Sequence, residues 1–346
     1  MVDSKLQMSA EVLVKDLLKV KEGEVFVITA DTLTDPDVIE AIDRTAQCAG
    51  AKVLLALTPS PDGVSLAADK DLAVDVMSEM LAHADVWVEL NVRWLLYSSP
   101  YYYAKKNNPR LRHMCLTGTN ADTLIRCVGQ VNYPKMREFS EALRDKIKDA
   151  KDVRMVSPEG DEITFQNVKG RPLSCKLGDA SVPGTHLFVG QIGWTPELES
   201  VNGVICLDGS VAPDIGIIQS PVRITVEKGE IRSIEGGTDA KRYEDWLRSF
   251  EHPQMLRVSH AGIGFHPGAR LMGDILQDQR IWGSTTWGFG SIGAGLLPPD
   301  GVPAPSHSDA VSLNTDIYLD GKPLWLHGEI ADEELKQLSK GLTERR

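Results

Sequence analysis

Cysteine is scarce in this chain, and none of it has the spacing a thiolate metal site needs. Cys48, Cys115, Cys127, Cys175 and Cys206 are the only five in 346 residues, with no Cys-x-x-Cys pair. A cysteine zinc site and a disulfide framework are therefore not expected, and the thiols read as free and mostly buried. Basic clusters are missing as well. Lys and Arg number 37 against 49 Asp and Glu, for a formal net charge of −12. Nucleic acids and anionic membranes are bound through clustered Lys and Arg, so neither is an expected partner. No run approaches the roughly 18 apolar residues of a spanning helix. The opening "MVDSKLQMSAEVLVKDLL" carries charge throughout and does not read as a signal peptide, so a cytoplasmic location is expected.

Two catalytic signatures are absent too. No Gly-Lys-Ser/Thr phosphate loop occurs, and "GFGSIGAG" (288–295) lacks the spacing of a nucleophile elbow. Phosphate-loop and serine-hydrolase chemistry are both set aside.

What is present divides the chain near residue 150. Up to there, strand signals at 24–29, 52–57, 85–90 and 112–117 alternate with helical stretches at 35–50, 71–84 and 121–129. Repeated strand–helix units predict an α/β domain with a mainly parallel sheet over 1–150. "MREFSEALRDKIKDAKD" (136–152) reads as an exposed amphipathic helix bridging to the next domain. Beyond it Gly and Pro become frequent and strands come in pairs. Residues 222–237 read as a hairpin turning at "EKGE", and 309–330 as a strand pair around Asp320-Gly321. A helix is expected over 239–250 and another near the C-terminus. The expectation for 151–346 is a β-rich, α+β and barrel-like domain that carries the metal.

The chemistry concentrates in "VSHAGIGFHPGAR" (258–270) and "SHSDAV" (306–311). His260 ends a short apolar run. His307 and Asp309 stand at i and i+2, which share a face in an extended segment. Two histidines and one carboxylate are the ligand pattern of mononuclear Fe(II) oxygenases, with open positions for substrate and O₂. The plain alternative is a set of hydrogen-bonded histidines, since His-x-Asp also arises by chance. His266 precedes a proline and reads as a pocket residue. His186, in a glycine-rich loop, suits a general base, with a surface histidine as the alternative. Trp194, Trp282 and Trp287 are candidates for an apolar wall against a flat ring. Arg270 and Thr286 are candidates for polar contacts.

"SVNGVICLDGS" (200–210), "SHAGIGFHPGARLMGDILQDQRIWGSTTWGFG" (259–290), "SHSDAV" and "DIYLDGK" (316–322) resemble the M29 aminopeptidase (aminopeptidase T) superfamily. The departures are specific. Gln191 and His260 stand where the peptidases keep metal-binding glutamates, and Thr286 stands where they keep a histidine. A two-metal site needs such anionic ligands. What remains, His260, His307 and Asp309, is similar to the 2,5-dihydroxypyridine dioxygenases of the same superfamily. That resemblance implies Fe(II) as cofactor, O₂ and a small hydroxylated N-heteroaromatic as substrates, and His186 as acid/base. Gln191, Thr286, Trp194, Trp287 and His266 are the residues expected around the substrate, and the resemblance also implies a homo-oligomer. An M29-type aminopeptidase, another single-metal hydrolase of the same fold, and a protein binding no metal stay open as alternatives.

Overall fold

The computed structural model describes residues 3–343. Contacts within the chain group them into two units. One runs up to Val131 and takes in Gly178–Phe188; the other comprises Asn132–Leu177 and Val189–Thr343.

In the first unit Val25–Asp31 (β1), Lys52–Thr58 (β2), Val86–Glu89 (β3) and Arg112–Cys115 (β4) form a parallel sheet in the order β2–β1–β3–β4. Apolar runs at β1 and β3 are buried almost throughout, as parallel strands covered on both faces must be. The helix Pro36–Cys48, capped by the Asp35 carboxylate, supplies the crossover between β1 and β2. Gly184–His186 (β5) then pairs in parallel with β4 and completes a five-stranded sheet. The segment carrying His186 thus belongs to this unit, although it follows residue 150. At the opposite edge β2 leaves Leu54, Leu55 and Leu57 between 43% and 58% exposed.

The second unit opens with the helix Tyr133–Asp149, which buries Met136, Phe139, Leu143 and Ile147. This three-and-four spacing gives one apolar stripe. The helix is therefore packed into this unit and is not an exposed bridge. Two antiparallel sheets follow. The eight-stranded one contains Asp152–Val156, Glu162–Gln166, the hairpin Val222–Glu227/Glu230–Glu235 and the pair Asp316–Leu319/Lys322–Leu326. Both predicted turns are present. Lys228-Gly229 and Asp320-Gly321 all have positive φ, the conformation of a two-residue type I′ hairpin.

The seven-stranded sheet runs Leu173–Cys175, Gln191–Trp194 (β6), Val258–Gly264 (β7), Thr285–Ile292 (β8), Val302–Ser312 (β9), Ser210–Ala212 and Gly216–Ile217. Residues 309–312 thus belong to β9 and not to the pair around Asp320. Neither sheet closes on itself among the described residues, so the barrel-like expectation is replaced by two open sheets. One face of the seven-stranded sheet buries Trp194 and Trp287 around Phe165 of the other sheet, with ring centroids at 6.2 and 6.0 Å. Burial of such side chains stabilises by roughly 1.5–3 kcal/mol each. No helix among the described residues is long and apolar enough to cross a membrane.

Candidate metal centre

Strand register assembles the site. His260 on β7 pairs with Gly288 on β8, which pairs with Asp309 on β9; Gly290 pairs with His307. Cross-strand partners share a face, as do residues two apart. His260, His307 and Asp309 therefore emerge together on the sheet face opposite the tryptophans. Asp309 Oδ1 lies 3.2 Å from His260 Nε2 and 3.4 Å from His307 Nε2. The imidazoles are nearly parallel, with centroids 5.3 Å apart.

A missing side chain makes this possible. A Cβ on Gly288 would stand 2.1 Å from His260 Nδ1 and 2.2 Å from Cε1. The ring of His260 lies over the bare backbone of β8, between its own strand and Asp309. Sequence reading overlooked Gly288. The available signal was a glycine inside a strand pattern, which marks a close approach.

The orientation of His307 is fixed from behind. Its Nδ1 lies 2.8 Å from the Ser291 carbonyl oxygen. That oxygen can only accept, so Nδ1 carries the proton and Nε2 presents its lone pair toward Asp309. The Ser259 hydroxyl donates to the same carbonyl at 2.9 Å. This is the outer support that metal-binding histidines need.

The electrostatics favour a cation. Burial pushes the Asp309 carboxyl up, but His307 and His260 outweigh it and hold the group well below the usual carboxylate range. Burial pulls His307 down, and Asp309 with the Ser291 carbonyl reverses this and raises it. Despite the short distances, Asp309 Oδ1 and His260 Nδ1 have no partner with hydrogen-bond geometry. Cis ligands about 2.1 Å from one ion stand about 3 Å apart, close to the two nitrogen–oxygen separations. The mixed nitrogen and oxygen donors suit a divalent transition metal.

The remaining predicted residues separate. Trp194 and Trp287 both pair with Ala261 and so face away from His260, into the core. They form no wall of the site. Trp194 also donates to the Asn167 carboxamide at 2.8 Å. Trp282 packs on Phe139 and Trp325. Thr286 shares the face of the triad, but its hydroxyl faces the Gln279 carbonyl at 3.4 Å. Gln191 is on the same face, two residues before Gly193 on β6. His266 is fully buried, and its Nδ1 accepts from the Gly268 N–H at 3.0 Å, a bond that shapes the turn. Arg270 is exposed. His186 lies on β5 of the first unit, with Nε2 2.8 Å from the Val182 carbonyl.

A second group of metal-ligating types, Glu89, His113 and Cys115, is buried at the ends of β3 and β4. Glu89 already binds His113 Nε2 at 2.9 Å and accepts from the Leu95 and Leu96 N–H groups. Trp87 stacks on His113 at 3.8 Å. These bonds occupy the carboxylate and anchor the following loop, a structural role.

The family model described as NicX, 2,5-dihydroxypyridine 5,6-dioxygenase, matches residues 7–332. A 2,5-dihydroxypyridine 5,6-dioxygenase of Pseudomonas putida KT2440 is 25% identical over 341 residues, covering 92% of this chain and 94% of that protein. The solved structure of a 2,5-dihydroxypyridine dioxygenase from the same organism superposes with a TM-score of 0.74 at 23% identity, covering 96% and 98% of the two chains. Wild-type AmpT from Thermus thermophilus superposes with a TM-score of 0.69 at 13% identity, covering 95% and 99%. The two structural likenesses establish a shared fold.

Proposed function

Because this chain belongs to the 2,5-dihydroxypyridine 5,6-dioxygenase family, we propose that it cleaves a hydroxylated N-heteroaromatic ring such as 2,5-dihydroxypyridine with O₂, using one Fe(II). His260, His307 and Asp309 would hold the iron. The observation that carries this reading is the single carboxylate oxygen approached by two imidazole nitrogens at 3.2 and 3.4 Å. A bound ferrous ion supplies the redox chemistry between ring and O₂ and keeps positions open for both.

The chain's own residues do the rest. Asp309 stays ionised through the neutral range and offsets cationic charge. The Ser291 carbonyl keeps the His307 proton on Nδ1. The resemblance implies an acid/base role for His186, which belongs to the first unit. The Val182 carbonyl accepts from His186 Nε2 at 2.8 Å, which places a proton of that ring on Nε2.

A single-metal hydrolase would keep the same triad and consume no oxygen. The protein, purified anaerobically and loaded with Fe(II), is therefore expected to take up O₂ in proportion to added 2,5-dihydroxypyridine. Absence of uptake across a panel of dihydroxypyridines and catechols would overturn the dioxygenase reading.

The exposed leucines on edge strand β2 support a homo-oligomer, because open apolar edges invite pairing. Light scattering at micromolar concentration is expected to give a mass above one chain. A monomer mass would exclude the assembly.

A further inference from the structure

One register row away from the triad, the sheet face has almost no side chains. Ser174, Gly193, Gly262 and Thr286 lie across four neighbouring strands there. Gly193 is buried, yet a Cβ on it would meet only the Ala261 oxygen at 3.7 Å and His260 Cδ2 at 4.0 Å. Both are ordinary contacts, so a methyl on Gly193 would fit without displacing a neighbour. Gly262 is two residues from His260, a rise of about 7 Å along a strand, which is the span of a substituted six-membered ring. A Cβ on Gly262 would lie 3.0 Å from the Ile192 oxygen, 3.5 Å from Thr286 Cβ and 3.7 Å from Gln191 Nε2, so this glycine is covered. The Gln191 carboxamide therefore overlies the far end of this bare strip, with the metal ligands at the near end. Among the described residues no group hydrogen-bonds that carboxamide.

A carboxamide presents an N–H donor beside a C=O acceptor. Its complement is a ring edge with an adjacent C=O and N–H, which is a lactam. A 2-hydroxypyridine takes that tautomer in water; a benzene diol cannot. We infer that Gln191, over Gly262, selects the lactam edge of the substrate through this paired hydrogen bond, with the ring face seated over Gly193. The inference rests on the ring-cleaving reading of the same site and names the part of the ring that is recognised. Discrimination of this kind comes from polar groups left unpaired by the wrong ring.

Gln191→Leu keeps the volume and removes both polar atoms. Loss of two neutral hydrogen bonds is expected to raise KM for 2,5-dihydroxypyridine roughly tenfold. Hydroquinone, measured as substrate or competitive inhibitor, has the same para hydroxyls without the lactam and is expected to change less than about twofold, within the cost of a lost apolar contact. Cation affinity stays at the wild-type value. Equal changes for both rings, or none for either, overturn the assignment. If the iron-loaded protein consumes no O₂ with any ring, the reaction reading fails by itself. Binding of 2-pyridone and phenol to the Zn(II)-loaded protein then decides the inference. A wild-type preference for 2-pyridone that Gln191→Leu abolishes supports it; no preference, or one that survives, overturns it. Gly193→Val suits a strand and puts bulk where the ring face would sit. It is expected to remove 2-pyridone binding while the cation affinity is kept, and unchanged 2-pyridone binding would show that the ring does not sit there.

Discussion

Exchange of Asp309 for alanine is expected to lower affinity for a divalent cation at least a hundredfold, with the fold retained. Asp309 is the single anion of the triad, and both imidazoles converge on its Oδ1. Loss of an outer-shell partner alone costs 10- to 100-fold in such sites, so loss of the charged ligand costs more. His260→Ala removes a neutral donor and is expected to follow the same direction. Anaerobic titration with Fe(II), and with Zn(II) as an oxygen-stable probe, measures both. Wild-type affinity in both variants would show that the triad is misassigned. The wild-type affinity also has a predictable pH dependence. His307 is raised by Asp309 and the Ser291 carbonyl against the effect of burial. A proton therefore competes with the cation at His307 Nε2, and affinity is expected to fall as pH drops through the histidine range. Asp309, already ionised, contributes no such slope there.

Gly288→Ala is expected to damage the same property through a residue that carries no ligand atom. The new methyl would overlap His260 Nδ1 and Cε1 at 2.1 and 2.2 Å. The ring must swing off Asp309, or β7 and β8 must separate. Overpacking of this kind costs roughly 1–3 kcal/mol of stability, and a displaced ligand weakens cation binding by tenfold or more. Gly193→Ala is the matched control, because its methyl would make only ordinary contacts. Thermal melting and cation titration on the two variants separate the outcomes. If Gly288→Ala binds and melts like the wild type, His260 does not occupy the position described for it.

The parts of this protein legible in its sequence were those with a local cause. Apolar runs before helical periodicity marked β1 to β4. The glycine-containing stretches "EKGE" and Asp320-Gly321 marked two hairpins. His307 and Asp309 could be paired because an i, i+2 relation in an extended segment has one geometric outcome. Non-local pairings were not legible. Nothing around Gly184–His186 says that it pairs with β4, and the long strand β9 joins a different sheet from the strands that follow it. The placement of the tryptophans was a different kind of miss. Thr286 and Trp287 are neighbours in one strand and cannot both face the ligands. Gln191 and Trp194 are an odd number of positions apart and have the same conflict. Alternation alone forced a choice in each pair. The register of His260 with Gly288 settles it for the smaller, polar member.

β5 has a consequence for how the chain comes into being. Its partner β4 ends at Cys115, yet β5 arrives only after Asn132–Leu177 has been committed to the other unit. During synthesis the outer edge of β4, the side away from β3, has no strand partner until residues through His186 have been made. An open strand edge is the feature that draws nascent chains into wrong pairings. No single cut between residues 132 and 177 yields two complete sheets, so a fragment ending there is expected to lack one strand of its sheet.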